Sequence, residues 1–192
     1  MITTLLIGAY LLGSIPFGLI ITRLAGLGDV RAIGSGNIGA TNVLRAGNKK
    51  LAVLTLLCDA AKGFTAVLLA RSIAPDALSL AGLCAVLGHV FPIWLKWRGG
   101  KGVATAIGVL LALSLPLALI VCAVWLVIFL PFRIVSLASM AGIAGAPVAA
   151  HILGDGLALP TFILALLIVF THRANIRRLM NGTEHRFGKT AP

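Results

Sequence analysis

Acidic side chains are scarce in this 192-residue chain, which has 16 lysines and arginines but only five aspartates and glutamates. Charged residues of either sign make up 11% of the sequence and aromatic residues 6%, whereas hydrophobic residues make up 59%. A soluble globular protein cannot cover that much apolar surface. The composition therefore predicts an integral membrane protein, and the mean hydropathy of +1.07 agrees with this.

Metal-ligand spacings are also missing. The three cysteines lie inside apolar runs with no Cys or His at ligand spacing, and they are Cys58, Cys84 and Cys122. We expect them to pack between helices, and we expect neither a metal nor another cofactor. No histidine belongs to an HExxH pair or a His-x4-Asp pattern, because Trp94 stands five residues after His89 and Arg177 five after His172.

The net charge of +11 raises the question of a nucleic-acid partner. A soluble basic face with interleaved aromatic residues is absent. Basic residues at the ends of membrane helices explain the charge better. We therefore expect no nucleic-acid partner.

Apolar segments long enough to cross a membrane recur along the chain. The first, Ile2 to Thr22, carries no charge, and a hydrocarbon core of roughly 30 Å takes about 20 helical residues. A cleavable signal peptide is the competing interpretation, but no basic residue precedes the segment, and Arg23 follows it. The remaining segments are Leu51 to Ala70, Ala77 to Leu95, Gly102 to Phe132, Ile134 to Gly154 and Gly156 to Thr171.

The stretch from Gly102 to Phe132 decides the number of spans, since one helix of roughly 46 Å would need severe tilt. Pro116 marks the place where a break costs least. Seven spans from an outside N-terminus place all of the 16 basic residues inside except Lys62 and Arg71. We predict an all-α integral membrane protein with seven transmembrane helices, some short or broken. The piece from Gly102 to Ser114 is either a short span or a half-helix.

Asp59 and Lys62 lie inside a predicted span, three residues apart on one helix face. They can pair in a medium where a lone charge is costly. Either the pair is structural and self-neutralising, or Lys62 lines a polar cavity.

The whole chain, 1–192, is expected to be a single transmembrane domain with cytoplasmic segments 29–50, 88–105 and 171–189.

The first of these segments reads DVRAIGSGNIGATNVLRAGNKK. Its glycines let the backbone approach a ligand and aim N–H groups at it, while neutral side chains and Arg45 add hydrogen bonds. Such a set suits a phosphate group. A mobile linker is the alternative, but a linker does not need so many polar side chains beside a membrane. The residues concerned are Gly34, Ser35, Gly36, Asn37, Gly39, Thr41, Asn42 and Arg45.

The second segment reads GHVFPIWLKWRGGKGVAT. Lys101 stands among Gly99, Gly100 and Gly102 immediately before an apolar run, so that a point charge and a helix N-terminus can converge on one anion. It is not a Walker A loop, because Gly102 rather than Ser or Thr follows the lysine. The tryptophans and basic residues before the glycines are explained as interfacial anchors.

The third segment reads THRANIRRLMNGTEHRFGK. If the last span continues as a helix, His172 and Asn175 share a face and can point together into a site. The arginines at this helix end are typical of residues that set topology and contact anionic lipid headgroups. Glu184, the only glutamate in the chain, is expected to tie the tail down rather than to act as a base.

Three strings, GSGNIGATNVLRAG, GHVFPIWLKWRGGKGVAT and THRANIRRLMNGTEHR, in this order between spans, closely resemble the bacterial acyl-phosphate:glycerol-3-phosphate acyltransferases, the PlsY family. The resemblance covers nearly the whole chain. It implies an enzyme of the bacterial inner (cytoplasmic) membrane with a periplasmic N-terminus, a cytoplasmic C-terminus and an active site facing the cytoplasm.

The implied reaction transfers a fatty acyl group from acyl phosphate to the 1-hydroxyl of sn-glycerol 3-phosphate. It gives 1-acyl-sn-glycerol 3-phosphate (lysophosphatidic acid) and inorganic phosphate, the first acylation of phospholipid biosynthesis. The implied partners are glycerol 3-phosphate, long-chain acyl phosphate and membrane lipids. Docking of a soluble acyl-phosphate synthase on the basic face is left open.

Carried over residue by residue, the resemblance and the polar clusters give two sets of site residues. The catalytic set is Ser35, Arg45, His172 and Asn175. The substrate-binding set is Gly34, Gly36, Asn37, Thr41, Asn42, Gly99, Gly100, Lys101, Gly102 and Ser139. Ser136 is close enough to Ser139 to be the equivalent residue instead. The general base is either His172, because imidazole titrates near neutral pH, or a substrate phosphate.

A transporter of a small phosphorylated metabolite is the main alternative function. It predicts anion-attracting residues on both faces, but the outer loops offer Arg71 together with Asp76 and Asp155. A structural or lipid-anchoring subunit is a third interpretation. It leaves the three polar clusters unexplained.

Overall fold

The computed structural model describes residues 1–188, which form helices and no strand. Lys189, the last residue of the third segment, lies outside the described residues. The α-helices are α1 (Ile2–Gly13), α2 (Phe17–Leu24), α3 (Ala40–Arg45), α4 (Lys49–Ile73), α5 (Leu78–Val90), α6 (Val103–Leu113), α7 (Leu115–Phe132), α8 (Val135–Leu153), α9 (Ala158–Thr171) and α10 (Arg173–Met180). Short 3-10 helices cover Val30–Ala32, Pro75–Ala77 and Ile93–Leu95. The all-α prediction is confirmed.

Four helical segments within residues 1–188 are long and apolar enough to cross a membrane: Lys49–Ile73, Pro75–Leu95, Leu115–Phe132 and Val135–Leu153. Two bent pairs, α1 with α2 at 40° and α9 with α10 at 61°, raise the number to six if each pair is one span. The 11-residue helix α6 is roughly 16 Å long, about half of a hydrocarbon core of ~30 Å. Seven spans and the orientation of the termini stay predictions.

The long apolar stretch of the sequence is broken between α6 and α7. Ser114 has an extended backbone, and its Oγ accepts a hydrogen bond from Leu117 N at 3.4 Å. The serine thus caps the N-terminus of α7, and Pro116 lies in the first turn, where its missing N–H removes no helical bond. The predicted position of the break is confirmed.

The first apolar segment is broken as well, at Pro16 between α1 and α2. The carbonyl oxygen of Ile15 accepts hydrogen bonds from Phe17 N at 3.1 Å and from Lys62 Nζ at 3.0 Å. A carbonyl that leaves the helical pattern inside a membrane needs such a partner. The kink is therefore stabilised by a charge on α4.

The chain groups into two compact units, Met1–Leu113 and Ser114 onward. In the first unit α4 packs against α1, α5 and α6, and in the second α8 packs against α7 and α9. The single transmembrane domain over 1–192 stays a prediction.

Close contact between α4 and α6 depends on two glycines. A Cβ atom at Gly63 would overlap the carbonyl oxygen of Thr105, and one at Gly108 would overlap that of Ala60. Larger side chains at either glycine would force the two backbones apart. The beginning of α6, directly after the loop that carries Lys101, is thus held against α4.

Candidate active site

The loop that carries the first polar cluster folds around one buried amide, that of Asn42, which is 2% exposed. Its Nδ2 donates toward the carbonyl oxygens of Val30, Ile33 and Asn37 at 2.8, 3.0 and 2.7 Å. Its Oδ1 accepts from Ser35 N at 2.9 Å and from Ser35 Oγ at 3.3 Å. A buried amide with partners on both atoms fixes the path of the loop and the direction of Ser35.

Gly34 and Gly36 have φ angles of 58° and 69°, a region that side-chain-bearing residues rarely adopt. A Cβ at Gly34 would lie 2.5 Å from Asn42 Oδ1 and 3.1 Å from Arg45 Cδ. The stem of Arg45, in the last turn of α3, therefore lies against the residue that precedes Ser35. Ser35, Gly36 and Arg45 are exposed, whereas Asn42, which supports this loop, is buried.

The remaining predicted residues of the loop lie close to the start of α3. Asn37 Oδ1 accepts from Gly39 N at 2.9 Å, and Gly39 is the N-cap residue of α3. Thr41 lies half-buried in the first turn of α3. Contacts of Asn37, Thr41 and Asn42 with substrate stay predictions.

The beginning of the loop is fixed by Asp29. Its carboxylate accepts hydrogen bonds from Arg31 Nη2 at 2.6 Å and from Arg31 N at 2.9 Å. The side-chain and backbone hydrogen bonds from Arg31 hold the pKa of Asp29 well below its usual range. Arg31 is thereby engaged in a local ion pair, which leaves Arg45 as the arginine beside Ser35.

The Lys101 loop is attached to the end of α5 by its backbone. Gly99 N donates to Val90 O at 3.1 Å, and Gly100 N donates to His89 O at 2.9 Å. Both glycines are required by this contact, because a Cβ at Gly99 would overlap the carbonyl oxygen of His89 and one at Gly100 would overlap its ring. Their N–H groups are thus used within the protein.

Lys101 is half-buried and stands directly before α6. Gly102, which follows it, has a φ of 86° and turns the chain into the helix. The first N–H groups of α6 have no partner within the helix pattern and carry the positive end of its dipole. The lysine and this helix end can therefore act on one anion.

In the second unit His172 lies at the junction of α9 and α10 and is 2% exposed. The last span does not continue as one straight helix but bends by 61° there. His172 Nδ1 lies 2.7 Å from the carbonyl oxygen of Ile168. Because a carbonyl oxygen only accepts, we assign the proton of the neutral ring to Nδ1, which makes Nε2 the basic nitrogen.

Asn175, one turn into α10, is oriented by Glu184. The carboxylate of Glu184 accepts from Asn175 Nδ2 at 2.6 Å, from Ser136 Oγ at 2.7 Å and from Arg178 Nε at 2.6 Å. Burial raises the pKa of Glu184, but these hydrogen bonds outweigh it and leave the pKa below its usual value. The prediction that Glu184 ties the tail down is confirmed.

The two serines that the sequence left as alternatives have different partners. Ser136 Oγ is bonded to Glu184, whereas Ser139 Oγ accepts from Trp125 Nε1 at 3.2 Å. Both serines are buried on α8. Ser136 supports the tail, and a substrate contact by Ser139 stays a prediction.

The helical architecture and the polar loops agree with the relatives of this chain. A model of the glycerol-3-phosphate acyltransferase family matches residues 3–182. The glycerol-3-phosphate acyltransferase of Brucella anthropi is 54% identical over 184 residues, which cover 95% of this chain and 92% of the relative. That of Sinorhizobium medicae is 56% identical over 185 residues, covering 96% of this chain and 91% of the relative.

Two crystal structures of PlsY, an integral membrane glycerol 3-phosphate acyltransferase, match with TM-scores of 0.92 and 0.90. They are 46% and 45% identical, and the matches cover 97% of this chain and 96% and 95% of theirs. One is the glycerol 3-phosphate form and the other the lysophosphatidic acid form.

Fold and matches together define a helical enzyme that is integral to a membrane. The chain belongs to the glycerol-3-phosphate acyltransferase family. The family expected from the sequence is therefore confirmed, and the transporter and structural-subunit interpretations are set aside.

We predict that Asn42→Asp lowers acyltransferase activity at least about tenfold. The substitution replaces a donor by an acceptor that faces three carbonyl oxygens, and an unmatched buried polar group costs about 1–3 kcal/mol. Asn48→Ala is the matched control, because Asn48 only caps α4 through Leu51 N and its loss costs about 1 kcal/mol. Equal activity of the two variants would contradict the role of Asn42.

We also predict a pH dependence of stability that comes from Glu184. Because the folded-state pKa of Glu184 is below its usual value of 4.5, its contribution to stability is complete above pH 4.5 and is lost as the pH falls through the folded-state pKa. The thermal midpoint in detergent, followed by tryptophan fluorescence, should therefore fall on acidification. Glu184→Gln should lower the midpoint at neutral pH and reduce this fall.

Asp155→Asn is the control for this measurement. Asp155 is an exposed acid of the same unit, and its carboxylate accepts a hydrogen bond from the nearby Leu157 N. Its variant should keep the wild-type fall. The same fall in Glu184→Gln as in the wild type would rule out Glu184 as its source.

Proposed function

We propose that this chain transfers a fatty acyl group from acyl phosphate to the 1-hydroxyl of sn-glycerol 3-phosphate, releasing lysophosphatidic acid and inorganic phosphate. The observation that carries the proposal is the glycine-rich loop of the first unit, which presents Ser35 and Arg45 at the surface and is held by buried Asn42. The two forms of the related PlsY structure, with glycerol 3-phosphate and with lysophosphatidic acid, support this substrate and product.

Acyl phosphate as the donor agrees with the chemistry of the residues. It is an activated mixed anhydride, so the glycerol hydroxyl can attack its carbonyl carbon directly. The bond from that carbon to the phosphate oxygen breaks, and phosphate leaves. The enzyme then has to position two phosphate-bearing molecules and stabilise negative charge, which is the work of arginine, lysine and backbone donors.

The proposed roles in the first unit follow from exposure. Arg45 and Lys101 hold phosphate groups, and the hydroxyl of Ser35 steadies the oxyanion or the leaving phosphate. Since Gly99 and Gly100 donate to α5, the donors beside Lys101 are the first N–H groups of α6. Further proposed contacts with substrate are those of Gly34, Gly36, Asn37, Thr41, Asn42, Gly102 and Ser139.

In the second unit we assign glycerol 3-phosphate orientation to His172 and Asn175. The bond from Asn175 to Glu184 fixes the direction of its amide, and the bond from His172 to Ile168 fixes the ring. The proton of the attacking hydroxyl goes either to Nε2 of His172 or to a phosphate oxygen of a substrate.

The direct test supplies the purified protein with palmitoyl phosphate and glycerol 3-phosphate and follows phosphate release. We expect Ser35→Ala and Arg45→Ala to abolish turnover, because both act on charge that develops during the reaction. Lys101→Ala should instead raise KM about tenfold or more, since it removes one binding charge.

Arg98→Ala is the matched control for these variants. Arg98 is an exposed cation of the same segment as Lys101 and is interpreted as an interfacial anchor. It should leave kcat and KM near the wild-type values. Phosphate release by the wild type no faster than by Ser35→Ala would refute the proposed reaction.

We further propose seven spans in the bacterial inner membrane, with the N-terminus periplasmic and the polar loops cytoplasmic. A soluble acyl-phosphate synthase would deliver the donor at this cytoplasmic face. The positive-inside rule supports this orientation, because the basic residues concentrate in the loops assigned to the cytoplasm. Whether the chain has six or seven spans depends on whether the short helix α6 crosses the membrane.

Single cysteines in a background without Cys58, Cys84 and Cys122 test this topology. In intact spheroplasts an impermeant maleimide should label Asp76→Cys and Asp155→Cys but not Arg186→Cys. If α6 does not cross and the chain has six spans, the maleimide should label Arg186→Cys and should not label Asp155→Cys. That exchange would disprove the seven-span arrangement while leaving the reaction untouched.

A further inference from the structure

Three ionisable side chains are buried together in the first unit, Asp59 and Lys62 on α4 and His89 near the end of α5. Lys62 Nζ lies 3.0 Å from Asp59 Oδ1, and His89 Nδ1 lies 3.6 Å from the same oxygen. Mutual neutralisation accounts for the first two residues in a bilayer. It does not account for His89, whose removal would leave that pair intact.

His89 contacts the Lys101 loop with both its backbone and its ring. Its carbonyl oxygen accepts from Gly100 N at 2.9 Å. A Cβ at Gly100 would overlap Nε2 of the imidazole, so the ring lies directly against the residue before Lys101. The imidazole therefore stands between the carboxylate of Asp59, on its Nδ1 side, and the loop, on its Nε2 side.

Asp59 is also in contact with Lys62, which has further partners of its own. Lys62 Nζ donates to the carbonyl oxygen of Ile15 at 3.0 Å and lies 5.9 Å from the ring centroid of Phe17. The ammonium is thus fixed at the kink of the first segment as well as at the carboxylate. A carboxylate positioned in this way has one defined place at which it can meet the imidazole.

The two facing atoms lie close together but are not fully hydrogen-bonded. Within residues 1–188 neither Asp59 Oδ1 nor His89 Nδ1 makes a hydrogen bond of good geometry, although Lys62 Nζ is within ion-pair distance of the carboxylate. Buried polar atoms are almost always paired. The carboxylate is therefore an acceptor that faces His89 Nδ1 at 3.6 Å, just beyond the distance of a formed hydrogen bond.

We propose that the buried Asp59–Lys62 pair, acting through the ring of His89, positions the Gly99–Gly102 loop for phosphate binding. Asp59 and His89 are then positioning residues of the acyltransferase. The inference rests on the proposed role of Lys101 as a phosphate holder. It predicts that breaking the link changes substrate binding more than the chemical step, since the reacting groups themselves stay in place.

His89→Phe tests the link because phenylalanine keeps a ring against Gly100 but has no nitrogen for Asp59. Lys101→Ala is expected to raise the KM for one of the two substrates. We expect His89→Phe to raise the KM for that same substrate at least about fivefold, while kcat stays within about twofold of the wild type. Thr22→Val is the matched control, since Thr22 is a buried polar residue whose hydroxyl donates to the carbonyl oxygens of Gly18 and Leu19 in its own helix. It should leave both constants unchanged.

The contribution of Asp59 is tested with Asp59→Asn and Lys62→Met combined, because loss of one partner alone would leave a buried unpaired charge. This pair variant should raise the same KM. Adding His89→Phe to it should cause no further increase, because both changes break one link. Size-exclusion profiles and thermal midpoints in detergent establish that each variant is folded. If the pair variant does not fold, Asp59→Leu combined with Lys62→Leu replaces it, since two apolar side chains leave no buried charge, and this variant must also raise KM.

Three results would overturn the inference. In the first, His89→Phe has the wild-type KM although Lys101→Ala has a raised one. In the second, the KM increases of the pair variant and of His89→Phe multiply when the two are combined. In the third, His89→Phe loses kcat while its KM is unchanged. A wild-type KM in Lys101→Ala would overturn the proposed role of the loop, and this inference with it. The Lys101→Ala result therefore distinguishes the two failures.

Discussion

A polar group inside a hydrocarbon layer has to find its partner within the chain, because no water is present to replace it. Each interruption of the helices follows this constraint. The carbonyl of Ile15, released at the first kink, is bonded to Lys62 of α4. Ser114 caps α7 at the break of the long apolar stretch, and His172 returns its ring N–H to Ile168 at the last bend. At each of these three breaks a polar side chain is thus paired with a backbone group.

The same constraint separates the polar residues into supporting and exposed groups. Asn42 is buried and fully engaged, and it places exposed Ser35 and Arg45 on a defined loop. Glu184 does the corresponding work in the second unit, where it holds the amide of Asn175. Long side chains such as arginine lose much rotamer freedom on binding, so a fixed backbone beneath them reduces the entropy to be lost. Rigid support of this kind would therefore favour the phosphate binding proposed for Arg45.

The sequence predicts most of the helices and part of the site, because the features concerned are local. Apolar length and a proline locate the break before Pro116, and a three-residue spacing predicts the Asp59–Lys62 pair, which the structure confirms. The central position of Asn42 and the place of His89 against Gly100 could not be predicted, since they depend on segments that meet only after folding. The 61° bend at the end of α9 also escapes a sequence argument, because no proline or glycine marks it.

Glycine density is a useful signal for this site, and the structure adds a second physical cause to the one inferred from the sequence. A glycine-rich loop beside a lysine suggests a backbone that approaches a ligand. Gly99 and Gly100 are instead required because α5 and the ring of His89 occupy the space of a side chain, and Gly34 leaves room for Asn42 and Arg45. These glycines allow the protein to pack against itself so closely that a few side chains are held in place. In the proposed reaction the arginine, the lysine and the helix end hold the phosphate groups, and this packing of the glycines determines where those groups stand.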